Sequence, residues 1–226
     1  GWRPENYTRE YYGPVTLTQA LAMSLNTVSV RLILEFGPTA VARTAHRLGI
    51  NSLTHVDQYG LALALGSGEA SLLDMVYAYN VFNTGGYMVG MPVHEDQDAP
   101  GFRTLNPVAV LRIEDADGRV LWEYGAETNT YRRRLILEPA LAYIMTDMLA
   151  DDEARQPAFG ADSPLDLSRP AAIKTGTTND NRDSWAIGYT PQIVTGVWVG
   201  KNNNHSLNDI TGTTGAAPIW NALMEY

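Results

Sequence analysis

Ala171-Ala172-Ile173-Lys174-Thr175-Gly176-Thr177-Thr178 is the run on which the reading of this 226-residue chain turns. An apolar lead-in passes directly into a lysine, a glycine and three threonines. The chain holds two lysines, Lys174 and Lys201, against fourteen arginines, so a lysine here is not ordinary surface decoration. The pattern predicts a buried strand whose last residues present an ammonium, hydroxyl groups and an exposed backbone edge. Gly176 has no side chain, so an extended ligand can lie flush against that edge. Lys174 supplies a point charge suited to a carboxylate or to a neighbouring hydroxyl, and Thr175, Thr177 and Thr178 each donate and accept hydrogen bonds. Taken alone, the same run also describes a strand entering a Gly-Thr turn with no ligand at all.

Working outward, 185–189 and 193–199 read as two further strands on short connections. Such connections favour antiparallel neighbours, and a terminal helix over 217–224 packs across them. Upstream, the periodic apolar run from Val15 to Phe36 contains Ser24-Leu25-Asn26. Thr16 and Gln19 are spaced as a capping box for a helix that carries Leu17, Leu21, Val28 and Leu32 inward. On an unbroken helix, Ser24 and Asn26 point about 200° apart. For both to face one cleft, the chain must break near Ser24 into two helices. Gly37-Pro38 ends that unit, and 39–48 forms a short helix closed by Gly49.

The remaining segments are less decisive. A small-residue loop or turn covers 60–68, and a helix over 70–82 places Leu72, Leu73, Val76, Tyr79 and Phe82 in the core. A polar, mobile loop is expected at 94–104. A hairpin joins 110–113 to 120–122 through Asp115-Ala116-Asp117-Gly118. A helix follows at 139–149, then a connecting loop at 151–167. Residues 1–13, with Trp2, Pro4, Tyr7, Tyr11 and Tyr12, form an irregular lead-in. The expected architecture is one α+β unit: an antiparallel sheet flanked by helices. It divides into a helical region about 14–90, a hairpin and loop region about 91–168, and a sheet with its terminal helix about 169–226.

Composition excludes several functions. The net charge is −9, and nucleic acid binding needs a basic footprint. The one basic run, Arg132-Arg133-Arg134, reads as a solvated face or a contact to neighbouring acids. No cysteine is present, so neither disulfide nor thiolate chemistry is available. The four histidines show no i,i+4 pair, which disfavours zinc, and each reads as exposed or loosely packed. Neither a metal nor another cofactor is expected. Gly196 to Lys201 lacks the spacing of a phosphate loop. Asn6-Tyr7-Thr8 and Asn204-His205-Ser206 match the glycosylation pattern, which is common by chance. No apolar stretch reaches the roughly 20 residues that span a bilayer.

Ser-x-Asn followed by Lys-Thr-Gly comprises two of the three signatures of the penicillin-recognising serine enzymes. The text around them resembles the transpeptidase domain of class A, bifunctional penicillin-binding proteins. The likeness runs from Pro14 through Asn26, along Lys174 to Asp180, Arg182 to Trp185 and Gly188 to Pro191, and on to Gly196–Gly200 and Ala216–Trp220. It covers nearly the whole chain. The resemblance implies the penicillin-binding-protein/β-lactamase-like fold and an enzyme that cross-links peptidoglycan. It further implies D-Ala-D-Ala stem peptides and β-lactams as ligands, cell-wall synthesis proteins as possible partners, and a place on the extracytoplasmic face of the bacterial membrane, held by an upstream anchor.

It also implies roles. Ser24 relays a proton to the leaving group. Asn26 holds the nucleophile's lysine or the substrate amide. Lys174 holds Ser24 and adds positive potential. Thr175 and Thr177 bind the substrate carboxylate, with the Thr177 N–H as half of an oxyanion hole. Gly176 and Thr178 complete the substrate-binding edge, while Asp183 and Trp185 are structural. The third signature, Ser-x-x-Lys, carries the nucleophile and precedes Ser-x-Asn in the family. None of the nine serines here has a lysine three residues on. The expectation is a fragment that starts after that motif, incomplete at its N-terminus and unable to form an acyl-enzyme alone; a chain that has lost catalysis is the second account. A β-lactamase reading would need a deacylating glutamate, and no glutamate is singled out. A non-catalytic domain that binds stem peptide or β-lactam remains the alternative.

Overall fold

The computed structural model describes residues 3–124 and 132–226; Gly1, Trp2 and 125–131 lie outside the described residues. The helical part starts with α1 (Leu17–Ala22), and the capping box of Thr16 and Gln19 forms in both directions. The chain then breaks as expected: Ser24 adopts φ +58°, and α2 (Asn26–Phe36) begins two residues later. The break resets the helical phase, so the inward face differs from the one read off a single helix. Ala20, Met23, Leu25, Val30 and Ile33 are buried, whereas Leu17 and Leu32 face solvent.

α3 (Pro38–Leu48) ends at Gly49, whose φ of +113° no side chain tolerates comfortably. The short α4 (Val56–Tyr59) leads into a 3₁₀ turn, Gly60–Leu65, within the segment read as a loop or turn. α5 (Leu72–Asn83) is capped by Ser71 and buries Asp74, Tyr77, Ala78 and Val81. Leu73 lies on its exposed side, contrary to the expected core.

Three small strands, β1 (Tyr87–Pro92), β2 (Leu105–Asn106) and, later in the chain, the basic run, form an antiparallel sheet in which β1 is central. Between β1 and β2, the expected mobile loop is tied down at its end. Phe102 stacks on His46 at 4.2 Å, and Arg103 pairs with Asp74 at 2.5 Å. His46 is therefore buried, not loosely packed, with Nε2 against the Leu53 carbonyl. The hairpin of β3 (Arg112–Glu114) and β4 (Val120–Glu123) forms where its turn signal predicts. β5 (Arg132–Leu135) is solvent-facing, and the Arg133 guanidinium rests on the Tyr87 ring.

α6 (Pro139–Leu149) follows, then α7 (Asp152–Phe159) where a loop was expected. Asp151 caps α7, and the buried Arg155 donates to the Leu149 carbonyl, closing the end of α6. The second sheet contains β6 (Ala172–Thr177), β7 (Asp183–Thr190) and β8 (Ile193–Gly200), in that order and all antiparallel. α8 (Ala217–Glu225) closes the chain.

Two glycines report how helices press on this sheet. A Cβ at Gly196 would lie 2.4 Å from Val76 of α5, and one at Gly188 would lie 2.5 Å from Trp220 of α8. Gly188 pairs with Thr195, the neighbour of Gly196, so the two glycines face opposite sides of the sheet. The sheet is thus sandwiched between α5 and α8, an α+β arrangement with helices on both faces. No helix among the described residues is long and apolar enough to cross a membrane.

Candidate active site

β6 is an outer strand, so one of its edges is unpaired within the sheet. Which groups that edge presents follows from register. The Thr178 N–H donates to the Asp183 carbonyl, which makes Thr178–Asp183 a hydrogen-bonded rung beyond the end of the strand. Rungs alternate in an antiparallel pair. Thr177, opposite Ser184, and Thr175, opposite Ala186, therefore turn their N–H and C=O groups outward to the free edge. Side chains alternate between faces as well. Lys174 points to the face shared with α5, and Thr175 and Thr177 to the face shared with α8.

On the α5 side, the break between α1 and α2 brings Ser24 to the strand. Lys174 Nζ donates to Ser24 Oγ at 2.7 Å and to the outward-facing Thr175 carbonyl at 2.8 Å. Burial lowers the pKa of the Lys174 ammonium from its ordinary value to about 8. The left-handed backbone at Ser24 costs a non-glycine residue about 1 kcal/mol and gives the hydroxyl its approach to the lysine. Strain of this kind gathers at functional sites.

Asn26 reaches the same cleft. Its Nδ2 donates to the Glu5 carbonyl at 2.9 Å, which leaves the side-chain oxygen as its remaining acceptor. Leu25 stands at the N-cap of α2 and has no side-chain bond to give. That function falls to Asn6, from the lead-in, whose Oδ1 accepts from Thr27 N and Thr27 Oγ1, both at 3.1 Å. Asn6 is 5% exposed and was invisible as a site residue in the sequence, where it read only as a chance glycosylation match.

The cleft beside Lys174 has a volume of about 810 Å³. Ser24, Asn26 and the run from Lys174 to Thr178 line its polar side; Leu21, Leu63, Met75 and Tyr79 are among its apolar walls. The structure thus brings together every residue singled out from the sequence. The threonines differ in what they have free. No hydrogen bond occupies Thr175 Oγ1 among the described residues. Thr177 Oγ1 accepts from Gly212 N at 2.8 Å. Thr178 Oγ1 donates to Asp183 Oδ2 at 3.0 Å and accepts from Asp183 N at 2.9 Å. Asp183 in turn accepts from Trp198 Nε1 at 2.9 Å. An ammonium, a hydroxyl and an unpaired strand edge around one cleft can anchor an extended ligand with a terminal carboxylate and can pass a proton along Lys174 and Ser24.

Residues 1–225 match the family described as the penicillin binding protein transpeptidase domain. The chain is 33% identical to penicillin-binding protein 1A of Neisseria meningitidis over 227 aligned positions, covering 100% of this chain and 26% of the relative. It is 34% identical to penicillin-binding protein 1A of Aquifex aeolicus, covering 97% and 26%. It thus spans about a quarter of the length of these relatives. Among solved structures, penicillin-binding protein 1A of Haemophilus influenzae superposes with a TM-score of 0.77 at 24% identity, over 99% of this chain and 36% of that one. Penicillin-binding protein A of Mycobacterium tuberculosis, solved as a ceftriaxone acyl-enzyme complex, superposes at 0.69 and 21% identity, over 98% and 51%. The backbone likeness and the family match agree with the cleft built from Ser-x-Asn and Lys-Thr-Gly, and the chain belongs to the penicillin-binding-protein transpeptidase family.

Proposed function

We propose that this chain supplies the substrate edge and the proton relay of a serine D,D-transpeptidase that cross-links peptidoglycan on the extracytoplasmic side of the bacterial membrane. The observation that carries the reading is the Lys174–Ser24 hydrogen bond of 2.7 Å beside the free edge of β6. In this reading the nucleophile is a serine of a Ser-x-x-Lys motif from a preceding segment. Its oxygen attacks the carbonyl carbon of the penultimate D-alanine of a stem peptide. The developing oxyanion meets the outward N–H of Thr177, a donor whose loss costs about 3 kcal/mol in comparable sites. The serine proton passes through Ser24 to the nitrogen of the terminal D-alanine, the C–N bond breaks, and that D-alanine leaves. An amine of a second stem peptide then attacks the ester, forms the cross-linking amide and returns a proton to the serine.

The remaining residues bind and orient. Lys174 and the hydroxyls of Thr175 and Thr177 hold the terminal carboxylate, and the peptide backbone adds along the edge at Gly176. Asn26 offers its free side-chain oxygen to the nucleophile's lysine or to a substrate amide N–H. A β-lactam follows the same path to the acyl stage and stops there.

The test is labelling with a fluorescent penicillin and intact-mass detection, on these 226 residues alone and on the polypeptide extended upstream through its gene. A covalent adduct only on the extended chain is expected. An adduct on neither would favour a non-catalytic groove that binds stem peptide. An adduct on these residues alone would place the nucleophile inside them and sink the proposal.

A further inference from the structure

Behind β6, on the face opposite Lys174, lies a segment with no part in the proton relay. Residues Gly212–Ala216 form a single π-helical turn, a rare geometry often found at functional sites. Its start is locked by Thr211 and Thr214, each side chain bonding the other's backbone. Its middle is bolted to the sheet by Ser184, which is fully buried. Ser184 Oγ donates to the Thr211 carbonyl at 2.7 Å and accepts from Ala216 N at 2.9 Å.

These anchors press Gly212 directly against the strand. A Cβ there would lie 2.7 Å from the Gly176 carbonyl oxygen, 2.9 Å from Thr175 Cβ and 3.0 Å from the Trp185 carbonyl oxygen. The position carries no positive φ, so the requirement for glycine is one of space alone. What the close approach achieves is the hydrogen bond from Gly212 N to Thr177 Oγ1 at 2.8 Å. A hydroxyl has one proton to give and lone pairs to receive with. With Gly212 N–H on a lone pair, the Thr177 proton is directed elsewhere, and among the described residues nothing accepts it.

We propose that Gly212 is a positioning residue for carboxylate recognition: its backbone N–H fixes Thr177 as a hydrogen-bond donor toward the terminal carboxylate of the ligand, with Ser184 holding it in place. The inference rests on the transpeptidase reading above. It explains why a turn that does not itself line the cleft is held this tightly against the back of the Lys-Thr-Gly strand. It also separates two requirements of carboxylate binding: Lys174 supplies charge, and Gly212 supplies direction to a neutral hydroxyl.

The experiment compares acylation of the full-length protein by an acyl-D-alanyl thioester bearing a free terminal carboxylate and by its methyl ester. The readout is the ratio of the two acylation rates, for wild type, Gly212→Ala, Ser184→Ala, Thr177→Val and Thr177→Ser. Wild type is expected to prefer the acid. Gly212→Ala and Thr177→Val are expected to lower the ratio by about tenfold, the scale of one lost hydrogen bond to a charged group. Ser184→Ala is expected to lower it less, and Thr177→Ser to keep it. A merely structural role would slow both ligands together and leave the ratio unchanged, and that result for Gly212→Ala overturns the proposal. Should Gly212→Ala fail to fold, Ser184→Ala, which removes atoms and adds none, decides in its place. A wild-type protein acylated by neither ligand would instead overturn the transpeptidase reading.

Discussion

Ser24 Oγ accepts a hydrogen bond from Lys174 Nζ at 2.7 Å although the two residues are 150 positions apart in the chain. Two unrelated backbone devices make the meeting possible. A left-handed residue between α1 and α2 turns the serine out of its helix, and the outer strand β6 carries the lysine on the face that meets it. Groups that form one relay are not independent, and removing either removes the function of both. In the full-length protein, Lys174→Ala and Ser24→Ala are each expected to slow acylation by a fluorescent penicillin by about 10²- to 10³-fold. The double variant is expected to be no slower than the worse single one. Additive losses in that double-mutant cycle would show that the pair does not act as a unit.

The burial that lowers Lys174 to about 8 makes its charge titrate within an accessible range. The sign follows directly. Below pH 8 the side chain is an ammonium and attracts a ligand carboxylate; above it the charge is lost. Because kcat/KM reports the free enzyme, its value for a ligand with a free carboxylate is expected to fall as pH rises through about 8. The methyl ester of the same ligand, which needs the relay but not the charge, should show a weaker limb. Equal profiles for acid and ester would remove Lys174 from carboxylate binding.

The sequence made some of this legible and hid the rest for identifiable reasons. Ser-x-Asn could be converted into a helix break because two side chains two residues apart cannot share a cleft on one helix, and Ser24 takes that break at φ +58°. The sheet was legible because strand and turn alternate along the chain at short spacing, so neighbours in sequence are neighbours in the sheet. Leu17, Leu32 and Leu73 were misplaced because periodicity gives a face but not which face the rest of the fold covers. α7 was hidden by Pro157 and a polar composition, since its stability rests on the Asp151 cap and on buried Arg155. Asn6 and Gly212 act across 21 and 35 positions, and no local pattern encodes a partner that far away.

Asn6 yields a separable prediction. It caps α2 from outside, because Leu25 at the N-cap offers no side-chain acceptor. Replacing an N-cap residue by alanine costs about 1 kcal/mol and up to about 2. Asn6→Ala is expected to fall in that range in denaturant unfolding and to lower penicillin acylation as Asn26 loses its fixed starting point. Asn6→Asp keeps the acceptor for Thr27 N but loses the amide that donates to the Glu10 carbonyl, and should recover most of the stability. If Asn6→Ala unfolds like wild type, the lead-in does not hold α2.

Asp183 was read from the sequence as structural, and its contacts give that role a direction. It shares three hydrogen bonds with Thr178, one through its side chain and two through its backbone, and is itself braced by Trp198 Nε1. The turn between them contains Asp180 and Asn181, both in left-handed conformations that must be held. The Thr178–Asp183 rung is also the last one that keeps Thr177 facing outward. Asp183→Asn preserves size but leaves one oxygen where two were used, so either the threonine hydroxyl or the indole N–H loses its acceptor. The expected outcome is a loss of about 1 kcal/mol in stability, at the low end for an unmet donor because the site is partly exposed, with acylation slowed more than the stability loss explains. Trp198→Phe, which removes only the brace, should give a smaller change in the same direction. The two effects should not add, since both act through one carboxylate. If Asp183→Asn acylates at the wild-type rate, the outward orientation of Thr177 does not depend on this rung, and the anchor formed by Ser184 and Gly212 is sufficient to hold it.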